Sequence, residues 1–356
     1  MSKEIKVAIV GVGNCASSFI QGLEYYRQVD PEGTVGLMHP VIGGYKVSDI
    51  VPVAAFDIAR NKVGKDLAEA IFSAPNCAYV YPDVKVRPTN VKVMMGPVLD
   101  GAPDHLREFY EVSDEKPCDV AKVLRDSGAE ILLNFLPTGS AEAARFYADI
   151  AIKEVGLGYM NGMPELIVCS KEYQEAAVKK NVPLIGDDVK SQLGGTIIHR
   201  ALIKLFQDRG IKIKKSYQLN YAGNTDFANL VKRGKSKELT KTEALTSLIP
   251  YEAEISAGFA YVPLMKDRKT TKFYFIASNF GDAPLRFEAT LEVEDSPNFG
   301  GTIADAIRCL KLALDRGIGG VLTSASAYLT KHPPMQVVDV EALEMLNEFI
   351  EGKRER

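Results

Sequence analysis

The chain has 356 residues and a formal net charge of −3. That length is enough for two ordinary domains, and the charge argues against nucleic acid as a partner, because nucleic-acid-binding domains are usually distinctly basic. The five cysteines are scattered and the four histidines lack zinc-ligand spacing, so neither a disulfide framework nor a tetrahedral zinc site is predicted. No apolar run approaches the roughly 18 residues that span a bilayer, and no signal-peptide core is present, which predicts a cytoplasmic protein without a membrane partner.

A strand, a glycine turn and a helix start follow one another near the N-terminus. The apolar residues 7–10 precede the run GVGNCASS at 11–18. Gly11 and Gly13 match the first two glycines of the dinucleotide fingerprint, and Ala16 takes the third position. This order predicts a pyrophosphate on the helix N-terminus and therefore a nicotinamide dinucleotide. We expect the cofactor to contact Gly11, Gly13, Asn14 and Cys15.

A second predicted strand, Val51 to Phe56, ends in Asp57. A carboxylate in that place accepts hydrogen bonds from ribose hydroxyls, which favours NAD over its phosphorylated form. Asp57 lies beyond the usual distance of about 20 residues from the glycines. We assign the excess to an insertion, Arg27 to Ser48. The alternative, an ordinary surface Asp before a helix that starts near Arg60, stays open.

A third loop supports the same cofactor. Residues Ile131 to Phe135 are predicted to form a buried strand, and LPTGS at 136–140 forms a turn before a helix that begins at Ala141. Ser140 is predicted to be the N-cap of that helix. The cofactor contacts expected from this loop are Pro137, Thr138 and Gly139.

Short apolar runs alternate with amphipathic segments as far as about residue 188. This pattern predicts an α/β, Rossmann-like, doubly wound parallel sheet. After residue 195 a long helix runs through Arg209, a strand covers 213–221, and strands at 273–280 and 285–293 form a hairpin, which predicts an inserted α+β domain for catalysis and oligomerisation. A helical pattern resumes at Gly300. We divide the chain into 1–200, 201–300 and 301–356, the last packing back on the first. The parallel strands are predicted at Ile5–Val10, Val51–Phe56, Val91–Met95, Ile131–Phe135, Gly156–Met160 and Val182–Gly186.

Lysines are concentrated in the second domain. Lys237 and Lys241 lie four residues apart in SKELTK, and Lys269 follows in MKDRK. Thr240 and Glu243 form a capping box, which predicts a helix that begins at Lys241. A lysine in the first helical turn opposes the macrodipole, so its proton affinity falls and a phosphate is favoured there. The alternative is a solvated basic face.

Two further segments hold candidate polar residues. Asp187, Asp188 and Lys190 lie in GDDVKSQLGG, after a strand, where doubly wound sheets place ligand contacts. A helix N-cap is an equal alternative for these carboxylates. Asn224 and Asp226 lie in LNYAGNTDF, where capping of the next helix is the competing interpretation.

The motifs GVGNC, NFLPTGS, NGMPE, GDDVKSQ, LNYAGNTDF, SKELTK, KDRK, EDSPN and AYLTK, in that order, resemble the myo-inositol-phosphate synthases of the short prokaryotic type. The resemblance implies conversion of D-glucose 6-phosphate to 1D-myo-inositol 3-phosphate with catalytic NAD, a possible divalent or monovalent cation with unknown ligands, and a homo-oligomer, dimer or tetramer. The catalytic residues it implies are Lys237, Lys241, Lys269, Lys331, Asp188, Asn224, Asp226 and Asp295, with Asp187 and Lys190 at the cofactor.

The chemistry explains the lysines. Oxidation at C5 of the open-chain sugar acidifies the protons at C6, and the resulting enolate oxygen needs positive charge in a dry site. We expect Lys269 and Lys331 at the C5 oxygen, and Lys237 and Lys241 at the enolate, the aldehyde oxygen or the phosphate. Two competing interpretations are a simple NAD-dependent two-domain dehydrogenase and a dinucleotide-sensing protein without turnover.

Overall fold

Seven parallel strands form the central sheet in the computed structural model, which describes residues 3–233 and 249–356. They are β1 Ile5–Val10, β2 Ile50–Asp57, β3 Val93–Met95, β4 Ile131–Asn134, β5 Gly158–Asn161, β6 Pro183–Ile185 and β11 Gly320–Val321. The order in space is β3-β2-β1-β4-β5-β6-β11, so the winding reverses between β1 and β4. The predicted α/β, Rossmann-like sheet is confirmed, and β11 is an additional strand too short to have a sequence pattern.

Helices cover both faces of this sheet. The alternate residues of β1 divide between two cores, because successive side chains of a strand point to opposite faces. Val7 and Ile9 join one core, and Ala8 and Val10 join the other. The helices of the described chain are α1 Asn14–Gln28, α2 Leu67–Ala70, α3 Val120–Ser127, α4 Ala141–Ala148 with a π-helical continuation Asp149–Val155, α5 Lys171–Lys180, α6 Gly195–Asp208, α7 Thr225–Arg233, α8 Asp295–Asp315, α9 Thr323–Leu329 and α10 Asp339–Glu351.

A second, mixed sheet follows the first. Its strands are β7 Lys212–Ala222, β8 Glu254–Tyr261, β9 Arg268–Ser278 and β10 Pro284–Glu294, in the order β10-β9-β7-β8. The predicted β9–β10 hairpin is confirmed as an antiparallel pair, whereas β8 is not predicted, because its Gly, Ala and Ser residues weaken the alternation. Helix α6 packs Ile203 and Phe206 against Phe273 and Phe275 on the inner face of this sheet.

The C-terminal helices return to the central sheet. Ile303 and Ile307 of α8 belong to the same core as Val7 and Ile9 of β1. The domain boundaries at residues 200 and 300 stay a prediction. None of the helices in the described part of the chain is long and apolar enough to cross a membrane.

Three local expectations are corrected. Helix α8 begins at Asp295 rather than Gly300, so Gly300 and Gly301 lie inside it; at Gly301 the Gln192 side chain approaches too closely for a Cβ. Residues 60–64 form turns, so no helix starts near Arg60. Helix α4 does begin at Ala141, but the Ser140 side chain makes no capping bond; the Asp100 carboxylate accepts from Glu142 N at 2.8 Å and Ala143 N at 2.9 Å instead.

Candidate active site

A deep cleft opens at the carboxyl edge of the central sheet, between β1 and β4. Open α/β sheets bind ligands at the point where the strand order reverses. The cleft contains about 1800 Å³ of space between its walls, part of it open to solvent. Its walls include the turn after β1, the ends of β2 and β4, the start of α6, helix α7, and residues of β9 and α8. Both domains therefore contribute to one site.

The turn after β1 has the backbone that the dinucleotide fingerprint requires. Gly11 has φ of +90°, and a Cβ there would lie 2.6 Å from the Phe135 carbonyl oxygen, so only glycine fits. Gly13 caps α1 and lines the cleft, and a Cβ on it would meet nothing within 4 Å. A side chain at Gly13 would fill space that is open for a phosphate at the helix N-terminus. Asn14 and Cys15 also line the cleft.

Asp57 closes this turn from the end of β2. Its carboxylate accepts hydrogen bonds from the backbone N–H groups of Val12 at 2.8 Å, Ile58 at 2.7 Å and Ala59 at 2.9 Å. Lys62 Nζ lies 3.9 Å from the same carboxylate and donates to Val12 O at 2.8 Å. Burial lowers the pKa of Lys62, the nearby Asp57 charge opposing the shift. Sequence reasoning missed Lys62, whose one signal was its place five residues after Asp57.

The loop after β4 forms the opposite wall. Pro137 lines the cleft, and Thr138 is fully buried. The Thr138 hydroxyl donates to Asp226 Oδ1 at 3.3 Å, which joins this loop to α7 of the second domain. Gly139 has φ of +81°, and its N–H donates to Glu165 in a short hydrogen bond.

These features together fit a nicotinamide dinucleotide. The glycine turn leaves open space at a helix N-terminus for the pyrophosphate, and a carboxylate stands at the end of β2 for the ribose. Tyr110 and Tyr147 supply apolar surface near Asp57, and Leu106 lines the same cleft, where an adenine ring would fit. The individual cofactor contacts stay predictions.

A buried ion pair joins Lys331 to Asp188 on the cleft wall. Lys331 Nζ lies 2.6 Å from Asp188 Oδ1, and the backbone N–H of Lys331 donates to Asp188 O, also at 2.6 Å. Asp188 has φ of +59°, a left-handed conformation in which both of these bonds are made. The two residues are 143 positions apart in the chain. The fold therefore places an ammonium group in the cleft and fixes its position twice.

A second ion pair joins Lys269 of β9 to Asp295, the first residue of α8. The pair is short, and both residues line the same cleft as Lys331. The cleft that contains the glycine turn is thus also lined by two lysine–carboxylate pairs, and the catalytic roles of these residues stay predictions.

Asn224 is oriented by a carboxylate that sequence reasoning missed. Its side-chain oxygen accepts from Phe227 N at 3.1 Å and caps α7, which confirms the capping interpretation, while its Nδ2 donates to Asp267 Oδ1 at 3.0 Å. Asp267 also accepts from Ser296 Oγ at 2.9 Å and Ser296 N at 3.1 Å. Burial, and then the charge of Asp295, raise the pKa of Asp267 to about 6. In the sequence, the one indication that Asp267 belongs to the site is its position two residues before Lys269.

Asp187 and Lys190 lie outside the residues that line the cleft. Asp187 is fully buried and accepts from Asn161 Nδ2 at 2.6 Å and from two backbone N–H groups, while burial raises its pKa to about 6. Lys190 donates to Ala327 O at 2.8 Å and pairs with Asp339 at 3.2 Å; burial lowers its pKa to about 8. Both side chains are bonded to other protein groups in the interior, and their contacts with the cofactor stay predictions.

Lys237 and Lys241, with the Thr240–Glu243 capping box, lie outside the described residues. Within residues 3–233 and 249–356, no group of three His, Cys, Asp or Glu side chains is arranged to hold a metal ion.

The start of helix α6 supplies a further polar corner. Ser191, Gly194, Gly195 and Thr196 line the cleft there, and Thr196 Oγ1 is buried without a hydrogen-bond partner. A Cβ on Gly195 would lie 2.4 Å from Gln218 Nε2, so the backbone comes close to β7. N–H groups at the start of a helix and two hydroxyls form a site that suits an anion.

The sequence is similar to known proteins, in one family model over part of the chain and in two relatives over nearly all of it. The sequence model of the family described as Myo-inositol-1-phosphate synthase matches residues 194–296. The chain is 46% identical over 360 residues to the inositol-3-phosphate synthase of Mycolicibacterium smegmatis, with 98% of each chain covered. It is 45% identical over 358 residues to the enzyme of that name from Corynebacterium glutamicum, covering 97% of this chain and 98% of the relative.

Solved structures share the fold. The crystal structure of Ari2 has a TM-score of 0.80 at 34% identity, covering 98% of this chain and 99% of that chain. The inositol-3-phosphate synthase from Caenorhabditis elegans has a TM-score of 0.79 at 17% identity, covering 98% and 86%, a likeness of fold alone.

Proposed function

Because this chain belongs to the myo-inositol-phosphate synthase family, we propose that it converts D-glucose 6-phosphate to 1D-myo-inositol 3-phosphate, as an isomerase with no net oxidation or reduction. The observation that supports this most directly is that two lysine–carboxylate pairs, Lys331–Asp188 and Lys269–Asp295, line the cleft that contains the glycine turn. A dehydrogenase needs one proton-handling pair. A reaction that oxidises, cyclises and then reduces its substrate needs more than one such pair.

The cofactor is NAD, which when bound supplies the electron exchange at C5 of the sugar and recovers its oxidised form at the end. Gly11 and Gly13 admit its pyrophosphate, and Asp57 faces its ribose hydroxyls. Because three backbone N–H groups already hold the Asp57 carboxylate, the group is fixed before the ligand arrives. Preorganisation of this kind lowers the ordering cost of binding.

Lys331 and Lys269 handle protons at the C5 oxygen. Each lysine side chain is held by a carboxylate. In its neutral amine form it can accept the C5 hydroxyl proton, and as the ammonium it can return that proton, while the carboxylate keeps it in place. The same positive charges stabilise the enolate oxygen that forms when a C6 proton leaves. C6 then attacks the C1 aldehyde and the ring closes. Lys237 and Lys241 assist at the enolate, the aldehyde oxygen or the phosphate.

The phosphate of the substrate lies at the start of α6. The Ser191 and Thr196 hydroxyls and the N–H groups of the first turn are its ligands, which gives the unpartnered Thr196 hydroxyl a hydrogen bond. The first turn of α6 contains no acidic residue that would repel it. With the phosphate anchored there, the sugar chain extends towards the lysine pairs.

The protein is a homo-oligomer, a dimer or a tetramer, that associates through the outer face of the mixed sheet. Tyr217 and Tyr274 stack on that face with ring centroids 5.1 Å apart, and Tyr217, Leu219 and Ile276 are exposed there by about two fifths of their surface. Light scattering on the purified protein tests this; a monomer at working concentration contradicts it.

The activity is tested by incubating the purified protein with D-glucose 6-phosphate and a catalytic amount of NAD, with periodate-released phosphate as the measurement. We expect inositol phosphate to accumulate in large excess over NAD. Parallel reactions with chelator and with added mono- or divalent cations test the need for a cation. Absence of inositol phosphate under every cation condition refutes the proposal, and NADH accumulating in step with substrate oxidation favours the dehydrogenase.

A further inference from the structure

Helix α7 ties together two loops that line the dinucleotide cleft. One loop, residues 97–110, follows β3 and contributes Leu106 and Tyr110 to the cleft wall. The other, residues 136–140, follows β4. α7 itself lines the cleft with Asp226, Phe227 and Leu230. The three segments come from both domains, and side chains of α7 contact both loops.

Asn229 is the centre of this connection. It is 1% exposed, its Nδ2 donates to Thr138 O at 2.8 Å, and its Oδ1 lies 2.9 Å from His105 Nε2. Because the amide oxygen can only accept, the His105 Nε2 carries the proton and donates. One buried side chain therefore joins the loop after β4 to the loop after β3.

Two further contacts reinforce it. Arg233, one turn beyond Asn229, donates to Asp100 O at 2.9 Å and, in a short hydrogen bond, to Gly139 O, so it spans the same two loops. Phe109 packs edge-on against Tyr261 at the end of β8, with centroids 6.3 Å apart. The loop after β3 is thereby held to the second domain at three places.

We propose that Asn229, His105 and Arg233 form a latch that retains the dinucleotide in the cleft until the reaction is complete. A ligand lying between the glycine turn and these loops is enclosed on that side by α7. Separation of α7 from either loop opens this side of the cleft and speeds the release of the ligand. This role rests on the proposed function, and the three residues act by positioning the walls rather than by touching the reacting atoms.

The chemistry gives such a latch a purpose. In the first step C5 loses a hydride to the dinucleotide and its hydroxyl proton to a base, and the same electrons must return to that carbon after ring closure. A simple dehydrogenase releases its reduced cofactor every turnover. Here each early release leaves one reduced dinucleotide and one 5-keto sugar phosphate in solution, in equal amounts, and the turnover fails. Slow release of the dinucleotide is therefore a requirement of the reaction.

The test compares His105→Ala and Asn229→Ala with His105→Gln, whose amide can still donate, and with Lys232→Ala, a neighbouring exposed residue of α7. Two quantities are measured in the full-length protein. The first is the dissociation rate of bound NADH, followed by its fluorescence when excess NAD displaces it. The second is the ratio of NADH released to inositol phosphate formed during turnover.

We expect His105→Ala, which loses one hydrogen bond, to release NADH about tenfold faster, and Asn229→Ala, which loses two, to release it at least as fast as His105→Ala; both should raise the ratio accordingly. His105→Gln should recover most of the retention, and Lys232→Ala should match the unmodified protein. Equal release rates in all four variants overturn the latch. His105→Ala keeps the inference testable if Asn229→Ala does not fold. Failure of the unmodified protein to form inositol phosphate refutes the proposed function instead, and the dissociation rates still decide the latch.

Discussion

The substitution Asp267→Asn tests the role of a buried carboxylate, because its effects on the stability of the protein and on the activity can be measured separately. The Asp267 carboxylate accepts three hydrogen bonds, from Asn224 Nδ2, Ser296 Oγ and Ser296 N. An asparagine in the same position can place its oxygen towards Asn224 and Ser296 Oγ. Its NH₂ group then meets the Ser296 N–H, so one acceptor is lost.

The magnitude follows from the pKa. Burial, with the charge of Asp295 as the second cause, raises the pKa of Asp267 from 3.8 to about 6. Between those pH values the folded chain binds a proton that the unfolded chain has lost, so the free energy of unfolding falls as pH rises through this window. The charged carboxylate thus costs about 3 kcal/mol above pH 6. Losing one buried hydrogen bond costs about 1–3 kcal/mol, so the two effects nearly cancel at neutral pH.

Denaturant unfolding of the two proteins at pH 7 and at pH 5 is the assay, with kcat measured on the same samples. We expect similar stability at pH 7, and at pH 5 a more stable unmodified protein, because only its residue 267 can take up the proton. We expect kcat to fall by about tenfold, because the start of α8, which carries Asp295, loses the hydrogen bond that Ser296 N donates to residue 267. If the difference in stability between the two proteins is the same at both pH values, the reasoning about the buried carboxylate is wrong.

Three further changes test other parts of the site. Thr196→Val removes a hydroxyl without a partner, so stability should hold or rise while KM for glucose 6-phosphate increases about tenfold; an unchanged KM argues against a phosphate at α6. Asp57→Ala should weaken NAD binding more than substrate binding in calorimetry, and unaltered NAD affinity returns Asp57 to a purely structural role. Lys331→Met should abolish turnover and destabilise the fold by about 3–5 kcal/mol, because the buried Asp188 carboxylate loses the ammonium group that pairs with it. Adding Asp188→Asn should restore stability without activity; recovered turnover in that double variant removes Lys331 from the chemistry.

Local backbone requirements were readable from the sequence. A glycine with φ of +90° pressed against a carbonyl, a buried strand before it and a helix after it all concern neighbouring residues, so the string around Gly11 predicts the cofactor turn. The six parallel strands and the β9–β10 hairpin follow from apolar runs and alternation for the same reason. The sequence thus specified the central sheet, the glycine turn and the lysines that the family resemblance singles out.

The tertiary structure alone decided which of those residues meet. Lys331 and Asp188 are 143 positions apart, and Asn224 and Asp267 are 43 apart. Pairing at such separations depends on how β6, β9 and the helices pack, and no local pattern records it. For the same reason Asp187 and Lys190, neighbours of Asp188, point to buried partners instead of the cleft. Helix α4 is capped by Asp100 rather than Ser140. The free N–H groups at a helix N-terminus can donate to any well-placed oxygen, whether its residue is near in sequence or far.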